Sequence, residues 1–238
     1  GIKVMTAAQV KSVDTTGELC KLTVETKKGT EVIEAETVLS AVGVIPNTDS
    51  IGLEEVGVEM VRGRKIKVDE YYRTNVEGIY AIGDIIPTQA LAHVASAEGI
   101  CCVEAICGLN PKPIDYGNIP GCTYVTPEVA SVGMTERAVK EAGIEYKVGK
   151  FFFLASGKAA AAGEKDGFVK LIIDAATDRI LGAHLVGANV TEMISGIVAG
   201  RNTGMTASDL IHSVHPHPTM SEAIMEAAEA SRGECIHQ

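Results

Sequence analysis

The chain has 238 residues, 46% of them hydrophobic and 22% charged, a composition ordinary for a globular protein with one or two domains and a sizeable core. Its formal net charge of −10, with no local Lys/Arg run, argues against a nucleic-acid or anionic-membrane partner. No apolar run approaches the roughly 20 residues needed to span a bilayer, and no signal peptide opens the chain, so a cytoplasmic setting is expected.

The first part of the chain is expected to be a β-meander. Ile2-Lys3-Val4-Met5 and Ala8 to Val13 read as short strands. Cys20, Leu22 and Val24 alternate with Lys21, Thr23 and Glu25, the period-2 pattern of a half-buried strand. Lys28-Gly29 predicts a turn, and Glu31 to Val42 reads as a further strand that becomes fully apolar over Val38–Val42. Gly43 follows; a glycine there either lets the backbone approach a ligand closely or only makes a turn.

Glu54 to Met60 is a short amphipathic piece, followed by an Arg62-Gly63-Arg64 turn and Ile66-Lys67-Val68. The apolar run Ile79 to Ile82 predicts a strand ending at Gly83-Asp84, a glycine with no side chain in a ligand's way and a carboxylate at a strand C-terminus. A helix is expected after Ala90-Leu91-Ala92-His93, through Cys101, Val103 and Ile106, and it stops near Gly108. His93 reads as a packed helix-start residue. The six cysteines show neither metal-site spacing nor a disulfide framework, and Cys102 and Cys107, five apart, read as buried core thiols in a reducing compartment. No metal site is expected.

The remainder predicts sheet plus helices. Thr135 can N-cap a helix running through Ala142 that Gly143 ends. Strands are expected at 145–153, 167–174 and 180–187, with helices at 189–202 and 206–211. His184 reads as a structural strand residue. Near the end stands His215-Pro216-His217-Pro218-Thr219-Met220-Ser221-Glu222-Ala223. Two prolines restrict the backbone around His217, and Pro218 sits where a helix can begin. Thr219 and Glu222 have capping-box spacing. Glu222 could equally orient His217 as a general base, and spacing alone leaves both roles open.

The H-x-H-P-T-x-S-E stretch resembles the active-site signature of the dihydrolipoamide dehydrogenase family of flavin disulfide oxidoreductases. Thr74 to Asp84 resembles that family's second FAD fingerprint, and Ala90 to Gly99 its L-A-H-x-A-x-x-E-G segment beside the isoalloxazine. Ala41 to Thr48 is similar to the motif closing its NAD domain, with Val44 where Arg is usual. Cys122 to Glu136 is similar to the opening of its dimerisation domain.

The resemblance implies an α+β dimerisation domain at 115–238, preceded by incomplete α/β segments: the end of an NAD-binding domain at 1–47 and of an FAD-binding domain at 48–114. It implies FAD and NAD as cofactors. His217 would be the base and Glu222 its partner. Gly83, Asp84, Leu91, Ala92, His93, Gly43 and His215 would be the cofactor-binding residues, Leu91, Ala92 and His93 chiefly through their backbone. A homodimer is implied, because the base serves a disulfide on the other subunit, with dihydrolipoamide on lipoyl domains as substrate. The family's G-x-G-x-x-G and its glycine-flanked redox cysteine pair do not occur in this chain. It is therefore expected to be the C-terminal half of a longer enzyme, inactive by itself. Glutathione reductases share the H-P-T core but generally lack the preceding H-x. Mercuric reductases use an adjacent C-terminal cysteine pair where this tail has a single cysteine, Cys235. A non-catalytic dimerisation module is the reading from another class.

Overall fold

The computed structural model describes residues 1–237. Three antiparallel sheets succeed one another along the chain. The first is a meander of β1 (Gln9–Asp14), β2 (Cys20–Thr26) and β3 (Gly29–Ala35) in that spatial order. Only Val24 of these strands is buried. Gly29, at φ +126°, makes the turn between β2 and β3.

Two expected strands do not form here. Residues 1–8 are irregular, and the apolar stretch Val38–Val42 is an exposed coil with Leu39 90% and Val42 92% accessible. An apolar strand holds its shape by pairing and by burying both faces. Among the described residues no strand lies beside this one. The predicted strand Ile79–Ile82 likewise shrinks to an isolated bridge between Tyr80 and Arg73.

Residues 48–114 gather around a small core of Val58, Ile66, Tyr72, Ala81, Ile86, Cys101 and Cys102. It contains the hairpin β4 (Met60–Val61) and β5 (Lys65–Ile66), a 3₁₀ turn at Gly83–Ile85, and α1 (Ala92–Ile106). Gly108, at φ +73°, lies just beyond the end of α1. Cys102 is buried as expected, but Cys107 is exposed, because it sits at the C-cap of α1 beyond the packed turns.

The rest is α+β around a five-stranded sheet in the order β6-β7-β10-β9-β8. The strands are β6 (Gly121–Thr123), β7 (Glu128–Gly133), β8 (Tyr146–Phe152), β9 (Phe168–Asp174) and β10 (Ile180–Gly187). The register pairs Ala183 with Val132 and Leu171, and Leu185 with Ala130 and Val169, so these apolar residues share one face. Onto that face pack α4 (Val190–Asn202) and α6 (Glu222–Ala230). Fully burying side chains such as Leu171, Leu185, Ile194 and Ile197 contributes roughly 1.5–3 kcal/mol each relative to exposure.

Between the sheet strands run α2 (Glu136–Glu141), N-capped by the Thr135 hydroxyl as expected, and α3 (Gly157–Ala162). A last short helix, α5 (Ala207–His212), precedes the tail and opens with a Thr206/Asp209 capping box. On the edge strand β8, Lys150 lies over the rings of Phe152 and Phe168, a charge placed where open strand pairing would otherwise invite association. Gly149 on β8 lets α6 approach to backbone distance: a Cβ built there would collide with the Ala227 carbonyl.

Candidate active site

His217 and Glu222 are brought together by the turn between α5 and α6. Pro216 and Pro218 flank His217, and the His217–Pro218 peptide is cis. The helix starts later than expected: α6 begins at Glu222, and Pro218 belongs to the turn before it rather than to the first helical turn. The reason lies in where the local polar groups find partners. Glu222 Oε2 accepts from the Thr219 N–H at 2.8 Å, while the Thr219 hydroxyl donates back to the Pro216 carbonyl at 2.8 Å. Only the carboxylate half of the capping box is made.

The other oxygen, Oε1, meets His217 Nδ1 at 2.8 Å. One carboxylate therefore fills both roles that the spacing left open. Burial pushes the Glu222 carboxyl up, but the Thr219 N–H and the His217 ring outweigh it and hold the group below its ordinary value. Its place at the N-terminus of α6 suits a negative charge. A carboxylate accepts, so Nδ1 carries the proton and Nε2 is the ring's open acceptor. The His217 side chain is 78% exposed against 26% for Glu222, which leaves the ring accessible and the carboxylate behind it largely covered.

This pair lines a cleft of about 320 Å³ with Phe151, Ala155, Ala223 and Glu226. Deeper in it, the buried Glu226 accepts from His237 Nδ1 at 2.5 Å and from the Cys235 thiol at 3.0 Å. That contact, with the charge behind it, raises the His237 ring above its ordinary value. The sequence reading missed this second pair, because eleven residues separate its members and no local spacing rule joins them. His215 Nε2 lies 3.1 Å from the Leu210 carbonyl. Among the described residues no cluster of His, Cys, Asp and Glu could hold a metal, and no helix is long and apolar enough to cross a membrane.

The residues that the resemblance assigns to a flavin form a separate group. Gly83 is buried at φ +74°, and a Cβ there would meet the Ala95 side chain at 3.3 Å. Asp84 follows it, exposed. Leu91 is the N-cap of α1, with no side chain capping the helix and no acidic residue in its first turn. Ala92 and His93 begin that helix, and His93 Nε2 lies 3.1 Å from the Pro120 carbonyl. An open helix N-terminus beside a free carboxylate offers donors to an electron-rich ring edge and an acceptor to hydroxyls. These residues fit a flavin. None of them lines the His217 cleft. Gly43 is different: it lies in open coil at φ +106° with nothing within 4 Å of a built Cβ, so the described residues show no nicotinamide cradle around it.

Beneath Gly83 lies a residue that the sequence reading left without a role. Glu98 is fully buried, and its oxygens accept from the Gly83 N–H at 2.6 Å, the Thr88 hydroxyl at 2.8 Å and the Tyr116 hydroxyl at 2.8 Å. A charged residue at helical spacing on the buried side of α1 was the available signal.

The model described as the pyridine nucleotide-disulphide oxidoreductase dimerisation domain matches residues 119–228, and the pyridine nucleotide-disulphide oxidoreductase model matches residues 1–99. The chain is 47% identical to a dihydrolipoyl dehydrogenase of Rhizobium etli, over all of this chain and 50% of that protein. It is 44% identical to the mitochondrial dihydrolipoyl dehydrogenase of Pisum sativum, over all of this chain and 48% of that protein. The crystal structure of LpdA from Mycobacterium tuberculosis superposes with a TM-score of 0.86 at 28% identity, covering 93% of this chain and 48% of that one. The chain thus spans about half the length of the relatives it matches.

Proposed function

The chain belongs to the pyridine nucleotide-disulphide oxidoreductases, a family of FAD- and NAD-dependent enzymes, and on that premise we propose that it supplies the base and the dimer interface of a dihydrolipoamide dehydrogenase. The observation that carries this reading is His217, pinned through Nδ1 by a carboxylate and open at Nε2. Nε2 takes the proton of a dihydrolipoamide thiol, and Glu222 stabilises the imidazolium so formed. The thiolate attacks one sulfur of a redox disulfide, breaking the S–S bond and making a mixed disulfide. Once the imidazolium has passed its proton to solvent, the neutral ring deprotonates the second thiol, whose thiolate attacks the lipoyl sulfur of the mixed disulfide, expels the cysteine thiolate and closes lipoamide. FAD, when bound, would supply the route for the electron pair to NAD⁺, and Gly83, Asp84 and the first amides of α1 would hold it.

The reading includes a homodimer. Its support is the match of residues 119–228 to a dimerisation domain and a base cleft that contains no residue of the flavin group. In the longer enzyme the second subunit brings the disulfide, which this chain lacks, to the base. Lipoyl domains of 2-oxoacid dehydrogenase or glycine-cleavage complexes are the proposed partners. Anaerobic mixing of the full-length, flavin-loaded enzyme that carries these residues with dihydrolipoamide tests the reading. Reduction of the flavin and formation of NADH on adding NAD⁺ are expected. A flavin left oxidised by dihydrolipoamide but reduced by NADPH would overturn it in favour of a glutathione reductase-like enzyme.

A further inference from the structure

Glu98 has no place in the chemistry above, yet it is fully buried, and burying a carboxylate costs several kcal/mol unless hydrogen bonds compensate. Here they do. Three donors converge on its two oxygens from three parts of the chain: the Gly83 amide, the Thr88 hydroxyl and the Tyr116 hydroxyl. Tyr116 is itself 3.2 Å from the Tyr72 hydroxyl. Burial first, then the contacts with Tyr72 and Glu98, push the Tyr116 phenol far above its ordinary value, so it remains a protonated donor.

Tyr116 itself lies at the start of the segment 115–238, across the boundary from Glu98. Its turn is fixed from the other side by Asn118, which donates to the Val198 carbonyl at 3.0 Å and accepts from Arg201 Nε at 2.9 Å. Arg201 further donates to the Gly117 carbonyl and to the carbonyls of Ile180 and Leu181. One continuous set of hydrogen bonds therefore runs from α4 and β10 through the 116–118 turn to the Gly83 amide.

We propose that Glu98 is the positioning residue of the flavin site: it fixes Gly83, and with it the Asp84 carboxylate, against the open N-terminus of α1, and Tyr116 ties that geometry to the interface domain. The proposal rests on the reading of Asp84 and α1 as flavin ligands. A neutral acceptor would satisfy the Gly83 amide alone. The two hydroxyls can reverse and accept, so glutamine could keep the amide bond through its carbonyl while its NH₂ faces Thr88 and Tyr116.

The test is flavin titration of the whole protein stripped of FAD, read by visible circular dichroism, with Glu98→Ala, Glu98→Gln and Tyr116→Phe beside the parent. Glu98→Ala should weaken FAD binding by about tenfold or more and change the bound-flavin spectrum, because it leaves the Gly83 amide unpaired. Glu98→Gln should rescue binding to within about threefold of the parent. Amide exchange at Gly83 in the flavin-free protein should be about tenfold faster in Glu98→Ala. Equal affinity and spectrum in a folded Glu98→Ala would overturn the proposal. If that variant does not fold, Tyr116→Phe decides: an altered flavin spectrum sustains the proposal and an unchanged one overturns it. A parent that binds no FAD would instead sink the flavin reading itself.

Discussion

His217 and Glu222 stand five residues apart in the chain and 2.8 Å apart in space, and the carboxylate that orients the ring also holds the Thr219 N–H at the start of α6. Helix initiation and orientation of the His217 ring are thus one structural event. A change at Glu222 disturbs both.

Glu222→Gln keeps an acceptor for Thr219 but removes the charge that stabilises a protonated His217. On the proposed function, dihydrolipoamide oxidation by the full-length enzyme should fall about 10- to 100-fold, less than in His217→Ala, as measured by flavin reduction in a stopped-flow instrument. The stability effect has a definite sign. A carboxyl whose folded-state pKa is lowered adds stability above its unfolded value, and that gain is lost as pH falls through the folded value. Melting curves of the glutamine variant should therefore lose less on acidification than those of the parent.

Glu136 gives a second acid-side prediction, away from the site. Lys170 at 2.5 Å first, then Lys140 at 3.1 Å and Tyr146 at 3.0 Å, hold its carboxyl down to about 2 from an ordinary 4.5. The stabilisation is present above about 4.5 and disappears as pH falls towards about 2. Glu136→Gln should remove that limb of the stability curve and leave neutral-pH activity unchanged. A thermal melt at several pH values from neutrality downwards measures both parts.

Gly149→Ala tests how α6 is seated. The added Cβ has no room against the Ala227 carbonyl, so the helix carrying Glu222 must shift off β8. Destabilisation of about 1–3 kcal/mol is expected in urea unfolding, together with a loss of thiol oxidation that Glu136→Gln does not produce. An alanine variant as stable as the parent would contradict the close approach.

Local relationships were readable in the sequence and distant ones were not. The His217–Glu222 pair, the Thr135 cap and the spans of β8, β9 and β10 each depend on residues within one element or one turn. The expected strand at Val38–Val42 is exposed coil, because apolar content alone cannot supply a pairing neighbour. Cys107 was assigned to the core from composition, but its position at the end of α1 exposes it. Glu98 with Tyr116, eighteen residues apart, and Glu226 with His237 are joined only by tertiary packing. The resemblance spans Asp84, the start of α1 and Glu98, but only the fold shows that Glu98 is buried against the Gly83 amide.

The most direct measurement is single-turnover reduction of the bound flavin by dihydrolipoamide in the full-length enzyme carrying His217→Ala. The rate should fall about 10²- to 10⁴-fold, with FAD affinity and the oxidised flavin spectrum unchanged. Reduction at the parent rate in a folded, flavin-loaded His217→Ala would contradict the assignment of this histidine as the base.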